Sequence, residues 1–245
     1  MTKEITILAF NLGHIPSGRE MVINGPGIDL YNFLKILKKE FADLKINLFT
    51  KINPKITPFG IRCSNIYNHD LLINKINSSD ILHHWSGSSN IFLDYIKYAN
   101  EIEKPVIVGP NVLDSVDSNF ESSYLSSINF HKIFCLNLRI KYSISNLYNI
   151  SLDKIDLLKI GPDTDLWKFN EDKDNFILWK GNSKHYAKDV DFALSIKNKL
   201  KKYSFKFLGY PKLYDYFSHI DLASRASLYI CSSISETKSN ALLEQ

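Results

Sequence analysis

Short apolar runs alternate with longer stretches of helical period along the whole chain. The first run, Ile5 to Phe10, has strand length and is followed by a polar, glycine-bearing loop that ends in Gly25-Pro26-Gly27. Residues 28–44 then place Tyr31, Leu34, Leu37 and Phe41 on one helical stripe. Further strands are predicted at residues 46–49, 60–63, 81–84, 105–108, 132–135 and 155–160, with helices at 69–76, 90–101 and 138–148. Strands separated by helical segments imply βαβ units and a parallel sheet. The pattern restarts after Gly161-Pro162-Asp163, where the charged stretch 170–175 reads as a linker. Beyond it come a strand at 176–180, a helix at 187–201 and a strand at 204–208. A helix at 213–223, a strand at 228–231 and a final helix from Ser239 complete the pattern.

The fold expected is therefore α/β, with two doubly wound, Rossmann-like parallel-sheet domains in series. Residues 1–170 form the first and residues 171–245 a shorter second. In open sheets of this kind ligands bind beyond the carboxyl ends of the strands. Two such sheets facing each other would place a ligand cleft between the domains, so the residues just after each strand are the candidates for function.

Composition narrows the class. The chain is 44% hydrophobic and 23% charged, enough apolar material for a packed core and too much for a disordered chain. Net charge is +4, and the lysines are scattered, which suits a solvated surface with one phosphate-friendly cleft better than a nucleic-acid stripe. Cys63, Cys135 and Cys231 are odd in number and lack metal-ligand spacing, which fits a reducing cytosol. The N-terminal apolar run is too short for a signal-peptide core, and no run approaches the roughly 18 apolar residues of a membrane span. A cytoplasmic, soluble protein is expected.

The strongest local chemistry lies in residues 228–245, LYICSSISETKSNALLEQ. A strand runs into Ser232–Ser235 and Glu236, and Thr237, Lys238 and Ser239 open a helix that carries Glu244. Free N–H groups at that helix start, with its dipole, favour a phosphate or a sugar hydroxyl. Glu236 and Glu244 can accept hydrogen bonds from a sugar and a ribose; equally, acidic residues favour first turns and solvated faces. No P-loop, Gly-x-Gly-x-x-Gly or His-Glu-x-x-His motif is present. Asp163 and Asp165 form an Asp-x-Asp pair, but in the segment that joins the two domains.

The strand–Ser–Glu–x7–Glu arrangement resembles the paired-glutamate motif of the retaining family-four glycosyltransferases, which have the two-domain GT-B fold. Several upstream segments resemble the same family in order. Residues 159–169, KIGPDTDLWKF, are similar to its interdomain segment, and residues 176–188, FILWKGNSKHYAK, to the first strand and phosphate loop of its second domain. Residues 205–210, FKFLGY, match the next strand with its terminal Gly209 and Tyr210, and Gly25-Pro26-Gly27 resembles the first glycine loop.

The resemblance implies a nucleoside-diphosphate sugar as donor substrate, with no cofactor and no metal. It gives Glu236 the transferred sugar and Glu244 the nucleotide ribose. Lys188 takes the place of the diphosphate-binding lysine, with Gly181 and Lys184 in the same loop, while Asn182 stands where an arginine is usual. Loss of that guanidinium removes a bidentate, permanently charged contact. Thr237-Lys238-Ser239 replaces the family's Gly-Phe-Gly. In the first domain His84 ends a strand and can hydrogen-bond a sugar or phosphate oxygen, or serve the structure. Trp85 can offer an acceptor platform or pack in the core, and Asn111 stands where relatives often carry histidine.

Glycosyl transfer to an unidentified acceptor is the function implied. A non-catalytic sugar- or nucleotide-binding relative, or a subunit of a transferase complex, is the alternative, and an epimerase on the same architecture a third. Relatives continue past the second glutamate, so the second domain is expected to be incomplete here, with an oligomer or a further C-terminal segment covering it.

Overall fold

A computed structural model describes residues 3–10, 12, 25–51, 58–85, 90–110, 125–165, 167, 170–181, 183, 188–210 and 216–233. The described residues up to Ile160 form one compact unit and those from Gly161 onward a second.

The first unit is a seven-stranded sheet in the order β3-β2-β1-β4-β5-β6-β7, all pairs parallel. Its strands are β1 (Glu4–Ala9), β2 (Lys45–Thr50), β3 (Cys63–Asn65), β4 (Ile81–His84), β5 (Val106–Val108), β6 (Lys132–Cys135) and β7 (Ile155–Leu157). Helices α1 (Gly25–Glu40), α2 (His69–Ser78), α3 (Leu93–Glu101) and α4 (Leu138–Tyr148) make the crossovers. Alternation along β1 divides the core. Ile7 and Ala9 pack with Leu30 and Leu34 of α1, and Leu8 packs on the other face with Leu72, Ile76 and Ile96 of α2 and α3. A sheet covered on both faces needs the near-continuous apolar strands seen in the sequence. Each fully buried Leu or Ile contributes about 1.5–3 kcal/mol.

Side-chain caps set helix starts. Asn137 Oδ1 accepts from the Ile140 N–H at 2.9 Å to open α4, and Asn149, left-handed at φ 52°, ends it. Gly25-Pro26-Gly27 forms the first turn of α1, a place where proline costs nothing because its missing N–H would lack a helical partner anyway.

The second unit is a three-stranded parallel sheet among the described residues, ordered β10-β8-β9. Its strands are β8 (Asp174–Lys180), β9 (Ser204–Leu208) and β10 (Ala226–Ile230), with α5 (Val190–Lys199) and α6 (Tyr216–Arg225) between them. Leu178 and Leu208 meet Ala223 of α6 on one face, and Trp179 and Phe207 meet Ala193 of α5 on the other. Trp167 packs into the first of these cores, so the segment after Gly161 belongs physically to this unit. No helix among the described residues is long and apolar enough to cross a membrane.

Candidate functional site

Each sheet has one place where the order of connection reverses: between β1 and β4 in the first unit, and between β8 and β10 in the second. Successive crossovers leave in opposite directions there, which opens a crevice beyond the carboxyl ends of the strands.

In the first unit the reversal is marked by His83 and His84, the last residues of β4, which are 1% and 0% exposed. His83 Nε2 lies 3.0 Å from the Gly109 carbonyl oxygen, so that nitrogen carries the proton and donates. Burial pushes His83 down to about 4, against an opposing contribution from that bond. Burial, with the neighbouring His83, pushes His84 down to about 3. Both imidazoles are neutral near pH 7. The Gly109 N–H donates to the His84 carbonyl at 3.0 Å, which clasps the turn after β5 to the end of β4. His84 rests on Phe92, with ring centroids 4.9 Å apart. Trp85 is 1% exposed, its ring against Phe33 and His83, so in this structure the indole is core packing and offers no stacking face to an acceptor. Gly25 and Gly27 sit in the first turn of α1, which follows β1 in sequence. Asn111 lies outside the described residues.

In the second unit Lys180 pairs with Leu208, so Gly181 and Gly209 each stand one residue beyond paired strand ends. The Gly181 N–H donates to the Leu208 carbonyl at 3.0 Å. Gly209 has φ 99°, a conformation that favours glycine, and turns the chain so that Tyr210 is half-exposed with its ring 6.3 Å from Phe207. Lys188 lies beside Gly181, its Cβ within 3.4 Å of where a Gly181 side chain would begin. Four of the residues singled out in the sequence, Gly181, Lys188, Gly209 and Tyr210, thus gather at one edge of one sheet. Asn182, Lys184, Glu236, Thr237, Lys238, Ser239 and Glu244 lie outside the described residues.

Sequence reasoning passed over Trp167, Trp179, His219 and Ser232 at this edge, and reached Lys180 only as a point charge that could replace the missing arginine. Trp179 is buried beneath Gly181, and its Nε1–H donates to Ser232 Oγ at 2.8 Å. Lys180 Nζ stands 5.0 Å above the Trp167 ring, and Trp167 meets His219 of α6 edge-on at 5.7 Å. Burial, then the Lys180 charge, pushes His219 down to about 3. The Trp179–Ser232 and Trp167–His219 contacts join positions about fifty residues apart, and only the tryptophans, as large apolar residues, gave any local sign. Asp163 serves its own turn, accepting from the Asp165 N–H at 3.1 Å.

The fold defined by these two sheets is that of the two-domain, GT-B glycosyltransferases. A glycosyltransferase from Rickettsia africae matches with a TM-score of 0.60 and 12% identity, over 96% of this chain and 74% of its own. WaaG, a glycosyltransferase involved in lipopolysaccharide biosynthesis, matches at 0.62 and 11% identity, over 98% of this chain and 78% of its own. The wall teichoic acid polymerase TagF matches at 0.51 and 11%, over 96% of this chain and 67% of its own. At such identities the likeness is one of fold. No protein-family model and no curated protein matches the chain.

Proposed function

We propose that the chain is a glycosyltransferase whose second unit binds a nucleoside-diphosphate sugar beyond the carboxyl ends of β8 and β10. One observation carries this reading: at the reversal point of that sheet, Gly181 stands one residue beyond β8 with the stem of Lys188 beside it, so a glycine main chain and a cationic residue adjoin where a diphosphate is proposed to bind. A bare glycine backbone lets a ligand approach the main chain, and a lysine supplies a point charge to phosphate oxygens. The likeness to solved glycosyltransferases supports the same reading at the level of fold.

In this account the bond between the anomeric carbon and the diphosphate oxygen breaks through an oxocarbenium-like transition state. Charge grows on the departing diphosphate, and Lys188 stabilises it, a contribution larger in the transition state than in the ground state. Same-face attack with retention, the departing phosphate taking the acceptor's proton, accords with the resemblance to family four and needs no separate general base. Glu236 orients the transferred sugar and Glu244 holds the ribose.

The test is donor turnover, followed as nucleotide release from UDP-, GDP- and ADP-sugars. Glu236→Gln is expected to lower it by roughly a hundredfold or more, the scale of losing one directed contact to the developing charge. Turnover near that of the unaltered chain would remove Glu236 from the site. Donor binding without any turnover would favour the non-catalytic alternative, towards which Asn182 and Thr237-Lys238-Ser239 already lean.

A further inference from the structure

The segments that follow β8 and β10 are tied together by a single relay of hydrogen bonds. Trp179, the penultimate residue of β8, is 1% exposed, and its indole N–H donates to Ser232 Oγ at 2.8 Å. Ser232 stands two residues past the end of β10 and donates its own proton to the Lys188 carbonyl at 2.6 Å. The hydroxyl uses one acceptor and its only donor in a buried place, so its orientation is fixed from both sides.

Packing reinforces the relay. A Cβ at Gly181 would stand 2.9 Å from two atoms of the Trp179 ring and 3.4 Å from Lys188 Cβ. Indole, Gly181 backbone and lysine stem are therefore layered in contact. On its other side Lys188 adjoins Asp189, whose carboxylate caps α5 by accepting the Phe192 N–H at 3.1 Å. The Lys188 main chain is held between a helix cap and the Ser232 hydroxyl.

We infer that Ser232 is a positioning residue for the donor diphosphate, acting through Lys188 by way of the Trp179 relay; this rests on the donor site proposed above. A lysine side chain is a flexible four-carbon stem carrying a compact charge, and immobilising it on a ligand costs conformational entropy. Fixing its main chain in advance leaves fewer torsions to order when phosphate arrives, and it keeps the ammonium within reach of the same point beyond Gly181. The relay also ties Ser232, beyond β10, to Lys188, just before α5, so displacement of one carries the other.

Isothermal titration of the whole chain with UDP, GDP and ADP tests this, using whichever nucleotide binds. Ser232→Ala is expected to weaken binding about tenfold, the scale of a lost buried hydrogen bond with its orphaned partners. Lys188→Ala should weaken it at least as much. The double variant should bind no worse than Lys188→Ala alone, because Ser232 acts only through the lysine. Trp179→Phe keeps a ring beneath Gly181 but deletes the N–H; it is expected to weaken binding in the same direction, and it carries the test should Ser232→Ala fail to fold. Losses that add in the double variant would show a purely structural role and overturn the inference, as would unchanged affinity in folded Ser232→Ala. Binding of none of the three nucleotides by the unaltered chain is a different result: it removes the donor site itself, and this inference with it.

Discussion

Gly109 is the position in the first unit where a single methyl group should do the most damage. It follows β5 with φ 105°, and an added Cβ would lie 2.1 Å from the Phe134 carbonyl oxygen and 2.9 Å from its carbon. Both are main-chain atoms of β6, so no side chain can rotate away. Holding a non-glycine residue at such a φ costs about 1–3 kcal/mol by itself. Relieving the overlap means parting the end of β5 from β6, at the expense of the Gly109 N–H bond to the His84 carbonyl and the His83 bond to the Gly109 carbonyl, both 3.0 Å. Each such bond contributes about 1 kcal/mol net. A total near 4 kcal/mol is expected for Gly109→Ala. At about 2–4 °C per kcal/mol for a unit of this size, the melting transition of the first unit should fall by roughly 8–16 °C in scanning calorimetry. Gly161→Ala is the control: its added Cβ meets nothing within 4 Å, and its effect should stay within about 0.5 kcal/mol. A Gly109→Ala chain melting within about 2 °C of the unaltered one would refute the close approach of these strands.

Two further outcomes follow from burial. His83, His84 and His219 are held down at about 4, 3 and 3 from an ordinary value of 6.5. The unfolded chain therefore binds more protons below 6.5; stability is full above that pH and falls as pH drops from 6.5 towards 4, by about 2 kcal/mol per histidine at pH 5. Equal melting temperatures at pH 7.5 and pH 5 would contradict this, and His84→Leu should flatten the slope. Among the thiols, Cys231 is exposed, whereas burial pushes Cys135 up to about 11. A disulfide reagent at pH 8 should modify Cys231 rapidly and Cys135 only after denaturant is added, and prompt modification of Cys135 would contradict the buried placement.

Strand existence was legible in the chain because a sheet buried on both faces demands continuous apolar runs, and the strands at 81–84, 132–135 and 204–208 coincide with β4, β6 and β9. Edges were less legible, each for a local reason. The strand expected at 60–63 is displaced to Cys63–Asn65 because Pro58–Gly60 forms a tight turn, with Phe59 at φ 55°. The helix expected from residue 187 begins at Val190, because Asp189 takes a left-handed conformation and caps it. The helix expected from residue 28 begins at Gly25, since proline fits a first turn as readily as a loop. Helix α6 runs directly into β10 at Ala226, where Arg225 bonds both Asp221 and Asp174, and no turn residue marks the change. In the candidate site, Gly181, Lys188, Gly209 and Tyr210 were singled out by the resemblance of residues 176–188 and 205–210 to family four, and the structure places all four at one sheet edge. The part played by Ser232 could not be found that way, since its partners are Trp179 and the main chain of Lys188, more than forty residues away. Trp85 shows the converse: a lone aromatic after a strand has the same local signature whether it faces a ligand or the core, and only its 1% exposure decides.

The proposed nucleotide-sugar donor site of the second unit is best probed by calorimetric titration of the purified chain with UDP-, GDP- and ADP-sugars. One donor should bind in preference to the others, with affinity weakened in Lys188→Ala and lost in Glu244→Ala. Failure of every donor to bind a chain shown to be folded would contradict the account.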